Sequence, residues 1–263
     1  MVRTKKKGSR LYASIVDHIR AQPIIWHFCT PKSASTFLMQ KLIQATADQP
    51  NVGHLKCLPI AHNRAQAVCP FTIAESIGDH PLHHVMIARH VHAAATTDLL
   101  DMISENHLVV VQTRPVFDTV ISAIDHLNQQ PISPFCINGE EIWPTLSESA
   151  KIDYLTLTYV PWHVQFIQSW DRAAEHSNIK WASYQDVVDN PDKIVSEILA
   201  FHGIHSAPEP SMPLGNIRFN VGRSGRGQEL LSPQQKPNIS SIVETMSGMW
   251  QPSHFAPAAA IAQ

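Results

Sequence analysis

The stretch IIWHFCTPKSASTFLM, residues 24–39, predicts the local structure around which the rest of the chain is arranged. Residues 24–30 form a largely apolar run of strand length. Pro31 ends this run, a lysine and small side chains follow, and a helical spacing of apolar residues continues to about Thr46. A strand, a tight turn and a helix build an anion-binding cradle, because the first N–H groups of the helix converge there.

The side chains of the turn support this prediction. Lys32 brings a positive charge, Ala34 is small, and Ser33, Ser35 and Thr36 bring hydroxyl donors. The turn is not a Walker A loop, which needs glycines before its lysine, whereas only a proline precedes the lysine here. An ordinary helix start with a surface lysine is the alternative, since hydroxyl residues are common at helix N-termini.

Further runs of strand length alternate with helical spacings along the chain. The run LVVVQ at residues 108–112 is rich in β-branched residues, as a central parallel strand requires. The alternation predicts an α/β fold of three layers, α/β/α, around a mainly parallel sheet. The other predicted strands are 83–88 and 179–183, and the predicted helices are 11–21, 96–105, 114–129, 147–175 (broken at Pro161), 192–202 and one after 237.

We expect residues 1–263 to form a single domain, because no repeat or change of composition divides them. Residues 1–10 are predicted to be a flexible basic tail. Three segments rich in loop-forming residues lie at 48–81, 131–144 and 206–237. The first two are candidate walls of an acceptor pocket, and the third is a candidate lid.

Composition narrows the class of protein. A net charge of −2, with 16% charged and 44% hydrophobic residues, is typical of a soluble globular domain without a nucleic-acid partner. No apolar run reaches bilayer length and no signal peptide follows the basic start, so we expect a cytoplasmic protein without membrane contact. The four cysteines form no disulfide framework. His54, Cys57, His62 and Cys69 fit no standard zinc spacing, so we expect no metal site.

A second polar turn follows the LVVVQ strand. Arg114 and Pro115 come soon after it, with proline at the first helical position, and Ser122 lies in the helix that follows. Ligands of open α/β sheets bind at the carboxyl ends of strands, where an arginine can bind a phosphate with two hydrogen bonds. Arg114 and Ser122 are therefore candidate phosphate ligands, and purely structural roles for both are the alternative.

Together the two turns resemble motifs of the sulfotransferases that use 3′-phosphoadenosine 5′-phosphosulfate (PAPS). PKSASTF is similar to the family's PKSGTTW loop, with Ala34 and Phe37 as departures, and RPVFDTVIS is similar to its R-x-P-x-D/E-x-x-x-S motif. The resemblance implies a P-loop-NTPase-like sulfotransferase fold. It also implies that residues 32–36 surround the 5′-phosphosulfate and that Arg114 and Ser122 bind the 3′-phosphate.

Two later segments resemble further parts of the family's nucleotide site. The stretch WASYQDVVDN at 181–190 is similar to a segment whose tyrosine contacts adenine, which implies that role for Tyr184 together with the ring of Phe37. A late loop, NVGRSGRG at residues 220–227, is similar to the family's RKGxxGDW loop but lacks its Asp-Trp pair. It implies further ligands of the 3′-phosphate, namely Arg223, Ser224, Gly225 and Arg226.

The resemblance implies in-line transfer of a sulfuryl group from PAPS to an acceptor, which leaves 3′-phosphoadenosine 5′-phosphate (PAP) and needs no metal. Lys32 would neutralise charge on the leaving group, and Ser33 would hold that lysine before the acceptor binds. A histidine would remove the acceptor proton. His90 aligns best with the family's K-T-H-L-P turn, and His92 is the second candidate.

The acceptor is the least determined part of this prediction, because the loops that would form its pocket vary across the family. We expect a small molecule with a hydroxyl or nitrogen nucleophile, in the tailoring of a specialised metabolite. A guanidinium toxin alkaloid is one candidate. The oligomeric state stays open, since the family's KxxxTVxxxE dimer signature is missing from the sequence.

Two other functions are the alternatives. A nucleotide kinase-like phosphotransferase would share the strand, turn and helix, but it needs Mg²⁺ and a lysine preceded by glycines. A non-catalytic module that binds PAPS or another nucleotide would keep the cradle without the chemistry. Lys32 and a histidine at a strand end argue against that module.

Overall fold

A computed structural model describes residues 3–55, 70–78, 80–129, 139–175, 177–205 and 223–248. The strands are β1 (Ile24–Cys29), β2 (Val52–Leu55), β3 (Val85–Ala88), β4 (His107–Thr113) and β5 (Ile179–Ser183). The helices are α1 (Arg3–Ala21), α2 (Ser35–Ala45), α3 (Pro70–Ile77), α4 (Thr97–Leu100), α5 (Val116–Gln129), α6 (Gly139–Ile142), α7 (Glu148–Ala173), α8 (Tyr184–Asp189), α9 (Pro191–Ala200), α10 (Arg226–Leu230) and α11 (Gln235–Gly248).

The described strands form one sheet with the order β2-β3-β1-β4-β5, and all neighbours are parallel. β1 lies at the centre and pairs with β4 along its whole length, from Ile24 opposite His107 to Cys29 opposite Gln112. The predicted α/β fold with a parallel sheet is therefore confirmed. Because every strand runs the same way, all the C-terminal ends meet at one edge.

Helices cover both faces of the sheet. Successive residues of a strand point to opposite faces, so Trp26 and Val109 join one buried core, whereas Ile25 and Val110 join another. The first core is closed by α1, α3, α5, α7 and α11, and the second by α2, α8 and α9. This arrangement confirms the three predicted layers.

The first helix is longer than predicted. α1 begins at Arg3, so residues 3–10 belong to the helix rather than to the tail predicted for 1–10. Apart from Gly8, most of these residues are basic or small polar ones, and arginine and lysine are good helix formers. The basic composition that predicted a tail therefore does not prevent the helix from extending.

Pro161 does not break α7, contrary to the prediction. The helix runs without interruption through Pro161, although a proline inside a helix removes one hydrogen bond and costs about 3 kcal/mol. Leu155, Phe166 and Trp170 are completely buried on the same helix. Each such side chain contributes about 1.5–3 kcal/mol when buried, so the packed face outweighs the local cost of the proline.

Other segments also differ from the predictions, among them the end of the second loop, which contains α6, and the end of the lid, which contains α10. The helix predicted at 96–105 is reduced to α4, after which a turn leads Met102 and Ile103 into the core. The segment 48–81, predicted as loop, contains β2 at the sheet edge and α3. Neither short element shows a strong periodic pattern, which is why the sequence alone did not identify them.

Several predictions fall outside the described residues. These are most of the first loop (56–69), the start of the second (131–138) and the main part of the lid (206–222), together with Cys57, His62, Cys69 and Cys136. Within the described part of the chain, no helix is long and apolar enough to cross a bilayer. No group of three potential ligands there could hold a metal ion.

Candidate active site

Four strands end at the same edge of the sheet, and each is followed by candidate site residues. Residues 30–36, here named the cradle, follow β1, and Arg114 follows β4. Tyr184 follows β5, and His90 and His92 follow β3. The carboxyl edge of an open parallel sheet is where such folds bind ligands, so the topology gathers these predicted residues at one functional edge.

The cradle has an unusual backbone. Lys32 and Ala34 both have left-handed conformations, with φ of 63° and 67°. The Ser33 hydroxyl closes the turn by donating to the carbonyl oxygen of Thr30 at 2.6 Å. Ala34 is the N-cap of α2 and makes no side-chain hydrogen bond to it. An external anion could therefore serve as the cap of α2, as the sequence predicts.

Two side chains from the end of β4 hold the cradle. Gln112 donates from Nε2 to the carbonyl of Ser33, and Arg114 donates from Nη1 to the carbonyl of Lys32 at 3.1 Å. The two residues are two positions apart and so point to the same face. Both are buried, with 0% and 4% of their surface exposed. The form of the cradle is therefore fixed from its neighbouring strand.

Arg114 also reaches the late loop and Tyr184. Its Nη2 donates to the carbonyl of Arg223 at 3.0 Å, and its Cζ lies 4.1 Å from the centre of the Tyr184 ring. Its Nε is buried and has no hydrogen-bond partner among the described residues. Burial lowers the pKa of Arg114, and Tyr184 and Asp118 oppose this change. An arginine stays charged nonetheless, so a phosphate oxygen would satisfy both the charge and the spare donor.

Asp118, the acidic residue of the RPVFDTVIS motif, seats the late loop on α5. Its buried carboxylate accepts hydrogen bonds from the backbone N–H groups of Gly225, at 2.8 Å, and Gly227, at 2.7 Å. Gly227 lies so close to α5 that a Cβ built on it would be 2.3 Å from the carbonyl carbon of Phe117. The motif therefore positions the start of α10 as well as Arg114.

The polar side chains of the late loop have protein partners in this structure. Arg226 forms an ion pair with Asp125 on α5, with Nη1 and Oδ2 2.6 Å apart, and Arg223 pairs with Glu229. The Ser224 hydroxyl donates to Gln185 at 2.6 Å. The pair with Asp125 uses Nη1 of Arg226, so a phosphate would share this guanidinium with a carboxylate. The roles of these residues at the 3′-phosphate stay predictions.

The chain after β3 continues the sheet for one more residue, and this places two histidines at its edge. Val91 forms a parallel bridge with β1, donating to the His27 carbonyl and accepting from the N–H of Cys29. His90 and His92 flank Val91 and lie together, with ring centres 5.7 Å apart. The His90 ring is also 5.9 Å from His27.

His92 has a defined tautomer. Its Nδ1 lies 2.8 Å from the carbonyl oxygen of Cys29. A carbonyl oxygen only accepts, so neutral His92 carries its proton on Nδ1 and its lone pair on Nε2. Burial lowers the pKa of His92 to about 4, the bond to Cys29 opposes this, and the charge of Lys32 lowers it further. His92 is therefore a neutral imidazole at pH 7 that senses the charge of the cradle lysine.

His90 and Cys29 differ from His92 in their surroundings. Burial lowers the pKa of His90 to about 3, and His27, His92 and Arg89 contribute in the same direction. Its Nδ1 is buried without a hydrogen-bond partner in the described part of the chain. Burial raises the pKa of Cys29 to about 12 against hydrogen bonds from Ser35 and Ser33, so Cys29 is an inert thiol.

The remaining predicted ligands are placed but not tested by these contacts. Ser35 is buried at the start of α2, Thr36 beside it is exposed, and Phe37 is 8% exposed within the second core. Ser122 is buried in α5 and Tyr184 at the start of α8. Contacts of all five residues with a nucleotide stay predictions.

Sequence reasoning gave no role to Gln112 or His27, which the structure joins to the cradle. His27 and Gln112 are hydrogen-bonded at 2.8 Å between Nε2 and Oε1, and both are buried. The available signal was a polar residue closing the β-branched run LVVVQ, two positions before Arg114. A polar side chain at the end of a buried strand must find a partner.

Comparison with solved structures finds proteins that have a similar fold. Mouse sulfotransferase SULT7A1 complexed with PAP matches with a TM-score of 0.58 at 14% identity, over 86% of this chain and 84% of that one. Retinol dehydratase in a complex with retinol and PAP matches with a TM-score of 0.53 at 10% identity, over 94% and 88% of the two chains. The chain has a sulfotransferase fold. No protein-family model matches the sequence, and a sequence search among curated proteins finds no match either.

The sulfotransferase fold confirms the fold that the motif resemblance implies. A further structure, retinol dehydratase with androsterone and inactive cofactor PAP, matches with a TM-score of 0.53 at 11% identity over 95% of this chain and 88% of that one. The match therefore extends over most of both chains rather than over the cradle alone. At such low identity, the backbone arrangement is what these proteins share.

The close packing of α10 against α5 at Gly227 generates a prediction. Gly227→Ala should lower the free energy of unfolding by about 1–3 kcal/mol, as overpacking does, because the new Cβ would overlap Phe117. Urea denaturation measures the change. Gly248→Ala is the matched control, since a Cβ on that helical glycine meets nothing within 4 Å and should not destabilise. Equal effects of the two substitutions would contradict the close contact between Gly227 and Phe117.

Histidines that are buried or half-buried generate a prediction about stability in acid. Burial lowers the pKa of five of them well below the usual 6.5: His27, His92 and His107 to about 4, and His90 and His163 to about 3. Below pH 6.5 the unfolded chain binds protons that the folded chain does not. The free energy of unfolding should therefore fall as the pH decreases from 6.5 toward 4, by up to about 1.4 kcal/mol per pH unit for each histidine.

Urea denaturation between pH 5 and 7 checks this expectation in a range where most carboxylates stay ionised. His163→Phe should reduce the slope of the free energy of unfolding against pH by up to about 1.4 kcal/mol per pH unit, the contribution of one proton. The reason is that this histidine is completely buried. Ile167→Val is the control, since it changes a buried side chain of the same helix that carries no titratable group and should leave the slope unchanged. A stability that does not change with pH over this range would show that these side chains are not buried as neutral imidazoles.

Proposed function

We propose that this protein transfers the sulfuryl group of PAPS to a hydroxyl or nitrogen of a small-molecule acceptor and releases PAP. The observation that carries the proposal is the joining of the cradle to the late loop through Arg114, whose Nε is a buried donor without a partner in the described residues. PAPS carries anionic groups at two ends, and this arrangement offers one anion site for each. Proteins with the same fold bind PAP.

The residues at the sheet edge divide the nucleotide between them in this proposal. The start of α2, with Lys32, Ser33, Ser35 and Thr36, would bind the 5′-phosphosulfate. Arg114, Ser122 and the late loop would bind the 3′-phosphate. Tyr184 and Phe37 would contact adenine. The stacking of Arg114 on Tyr184 supports this division, because it holds the 3′-phosphate ligand and an adenine ligand side by side.

Catalysis would depend on position and charge. The acceptor oxygen or nitrogen attacks sulfur in line, the bond from sulfur to the bridging oxygen breaks, and that oxygen leaves with the 5′-phosphate. Lys32 would neutralise the charge that develops on the leaving oxygen. The left-handed backbone at Lys32 is held by Arg114, so the lysine would be oriented before the substrates bind.

We propose His92, rather than the better-aligned His90, as the base that accepts the acceptor proton. Its proton on Nδ1 is held by the Cys29 carbonyl, which leaves the lone pair on Nε2. Lys32 is among the charges that lower the pKa of His92, whereas His90 is influenced by His27, His92 and Arg89. His92 is thus electrostatically coupled to the residue that would face the reacting group.

For the acceptor, we propose only a chemical class, a small molecule, and no particular compound. Retinol and androsterone, small apolar molecules, occupy retinol dehydratase structures of the same fold, which supports a small-molecule acceptor here. A guanidinium toxin alkaloid and a role in tailoring a specialised metabolite stay predictions, as does a location in the cytoplasm. Much of the loops that would surround an acceptor, 56–69, 131–138 and 206–222, lies outside the described residues.

Calorimetric titration with PAP, with and without Mg²⁺, tests the function against its alternatives. We expect binding that does not depend on the metal. Binding that requires Mg²⁺ would favour the kinase-like phosphotransferase. A screen of small-molecule acceptors with PAPS then separates an enzyme from a non-catalytic module, because only the enzyme converts PAPS to PAP in an acceptor-dependent way.

The first prediction from this function concerns the 3′-phosphate. Arg114→Ala should weaken PAP binding by about 2–4 kcal/mol, as the loss of a desolvated charge pair does. AMP, which lacks the 3′-phosphate, should lose much less affinity. Titration of both nucleotides gives the ratio of their affinities, which should collapse in the variant. Since Arg114 also holds the cradle, a proportional loss for both nucleotides would reveal a structural role only.

The second prediction concerns the base. His92→Asn should reduce kcat by about 10²–10⁴-fold, the usual contribution of a general base, while PAP binds with nearly unchanged affinity. His90→Asn is the matched control two residues away and should lose less than about tenfold on the same scale. Steady-state rates with the best acceptor measure both. An inactive His90→Asn beside an active His92→Asn would assign the base to His90 instead.

A further inference from the structure

The cradle contains two residues with left-handed backbone, and neither is glycine. A side chain disfavours this conformation because Cβ approaches the backbone too closely. Such residues persist only where surrounding contacts determine the backbone. Ala34, with φ of 67°, makes no side-chain hydrogen bond of its own that could supply the constraint. The constraint must therefore come from neighbouring residues.

Gln112 makes the contact that bears on Ala34. Its Nε2 donates to the carbonyl of Ser33. That carbonyl and the nitrogen of Ala34 belong to the same planar peptide unit, so holding the oxygen limits rotation about φ of Ala34. Arg114 acts in the same way one peptide earlier, on the carbonyl of Lys32. Gln112 differs in being completely buried, so it has no surface to offer a nucleotide.

The Ser33 carbonyl sets the orientation of the Gln112 amide, and His27 supports it. That carbonyl can only accept, so the NH₂ group of Gln112 must face it, and Oε1 must face His27. His27 Nε2, 2.8 Å from that oxygen, must then carry the imidazole proton. Burial lowers the pKa of His27 to about 4, which keeps the ring neutral at pH 7. The neutral ring therefore donates to Gln112 from Nε2, while its buried Nδ1 has no hydrogen-bond partner among the described residues.

We propose that Gln112, which also accepts a hydrogen bond from His27, is a positioning residue that holds the cradle in its left-handed form and so replaces the conformational freedom of a glycine at position 34. The inference rests on the proposed function in one respect: the held cradle is taken to be the site of the 5′-phosphosulfate. It adds a dependence between two residues: Ala34, which lies in the cradle, and Gln112, which lies behind the cradle and is completely buried.

A double-mutant cycle tests this dependence. Gln112→Met keeps the volume of the side chain but leaves the Ser33 carbonyl without its donor, and should weaken PAP binding by about tenfold or more. Ala34→Gly removes the need for the constraint, so in that background Gln112→Met should cost less than about threefold. The melting temperature of the free protein should show the same pattern, with a smaller decrease when Gln112→Met is combined with Ala34→Gly.

Val109→Ala is the matched control. Val109 is fully buried on the same strand, but it faces the first core, whereas Ala34 packs against the second. Val109→Ala should lower the melting temperature equally in both backgrounds. The proposal would be overturned if Gln112→Met caused the same loss of binding and of melting temperature with and without Ala34→Gly, since a merely structural residue behaves as Val109 does.

The two proposals fail separately. If the wild-type protein does not bind PAP, the proposed function is wrong, while the cycle of melting temperatures still decides the role of Gln112. If Gln112→Met folds only together with Ala34→Gly, that rescue supports the dependence. If it folds in neither background, His27→Phe is carried through the same cycle, and additive effects of that variant would contradict the proposal.

Discussion

The contact on which the site depends is the hydrogen bond from Arg114 to the carbonyl of Lys32. The same guanidinium binds the backbone of the late loop and stacks on Tyr184. Three segments that are far apart in the sequence are thereby joined at the end of β4. Because a guanidinium has five donors in a rigid plane, it can hold two backbone segments and keep a donor for a ligand. A lysine could not make these contacts together.

Much of the fold was predictable because short stretches of the sequence indicate its strands and helices. The apolar runs of β1, β3, β4 and β5 and the helices that follow β1 and β4 were identified from the sequence pattern, and the parallel sheet follows from the alternation of strands and helices. The position of the cradle and Arg114 at the sheet edge was predictable for the same reason, since a polar turn after a buried strand can lie only at that edge. These features depend on residues close together in the sequence.

What could not be predicted depends on contacts between distant residues. No local pattern shows that Asp118 accepts from Gly225 and Gly227, more than a hundred positions later. The same is true of the pair between Arg226 and Asp125, which gives a predicted phosphate ligand a protein partner. Pro161 was misread for a related reason, because the propensity of one residue is visible in the sequence while the buried face of α7 that outweighs it is not.

The electrostatics of the edge have a consequence for the order of events in the proposed reaction. Burial and the charge of Lys32 both keep His92 neutral, so it is ready to accept a proton but is a weak base in the free protein. The donor would bring negative charge to Lys32, which removes one cause of the lowered pKa. His92 would therefore become a stronger base once the nucleotide is bound. Proton removal would in this way be coupled to the presence of the donor, and an acceptor that arrived first would be activated less.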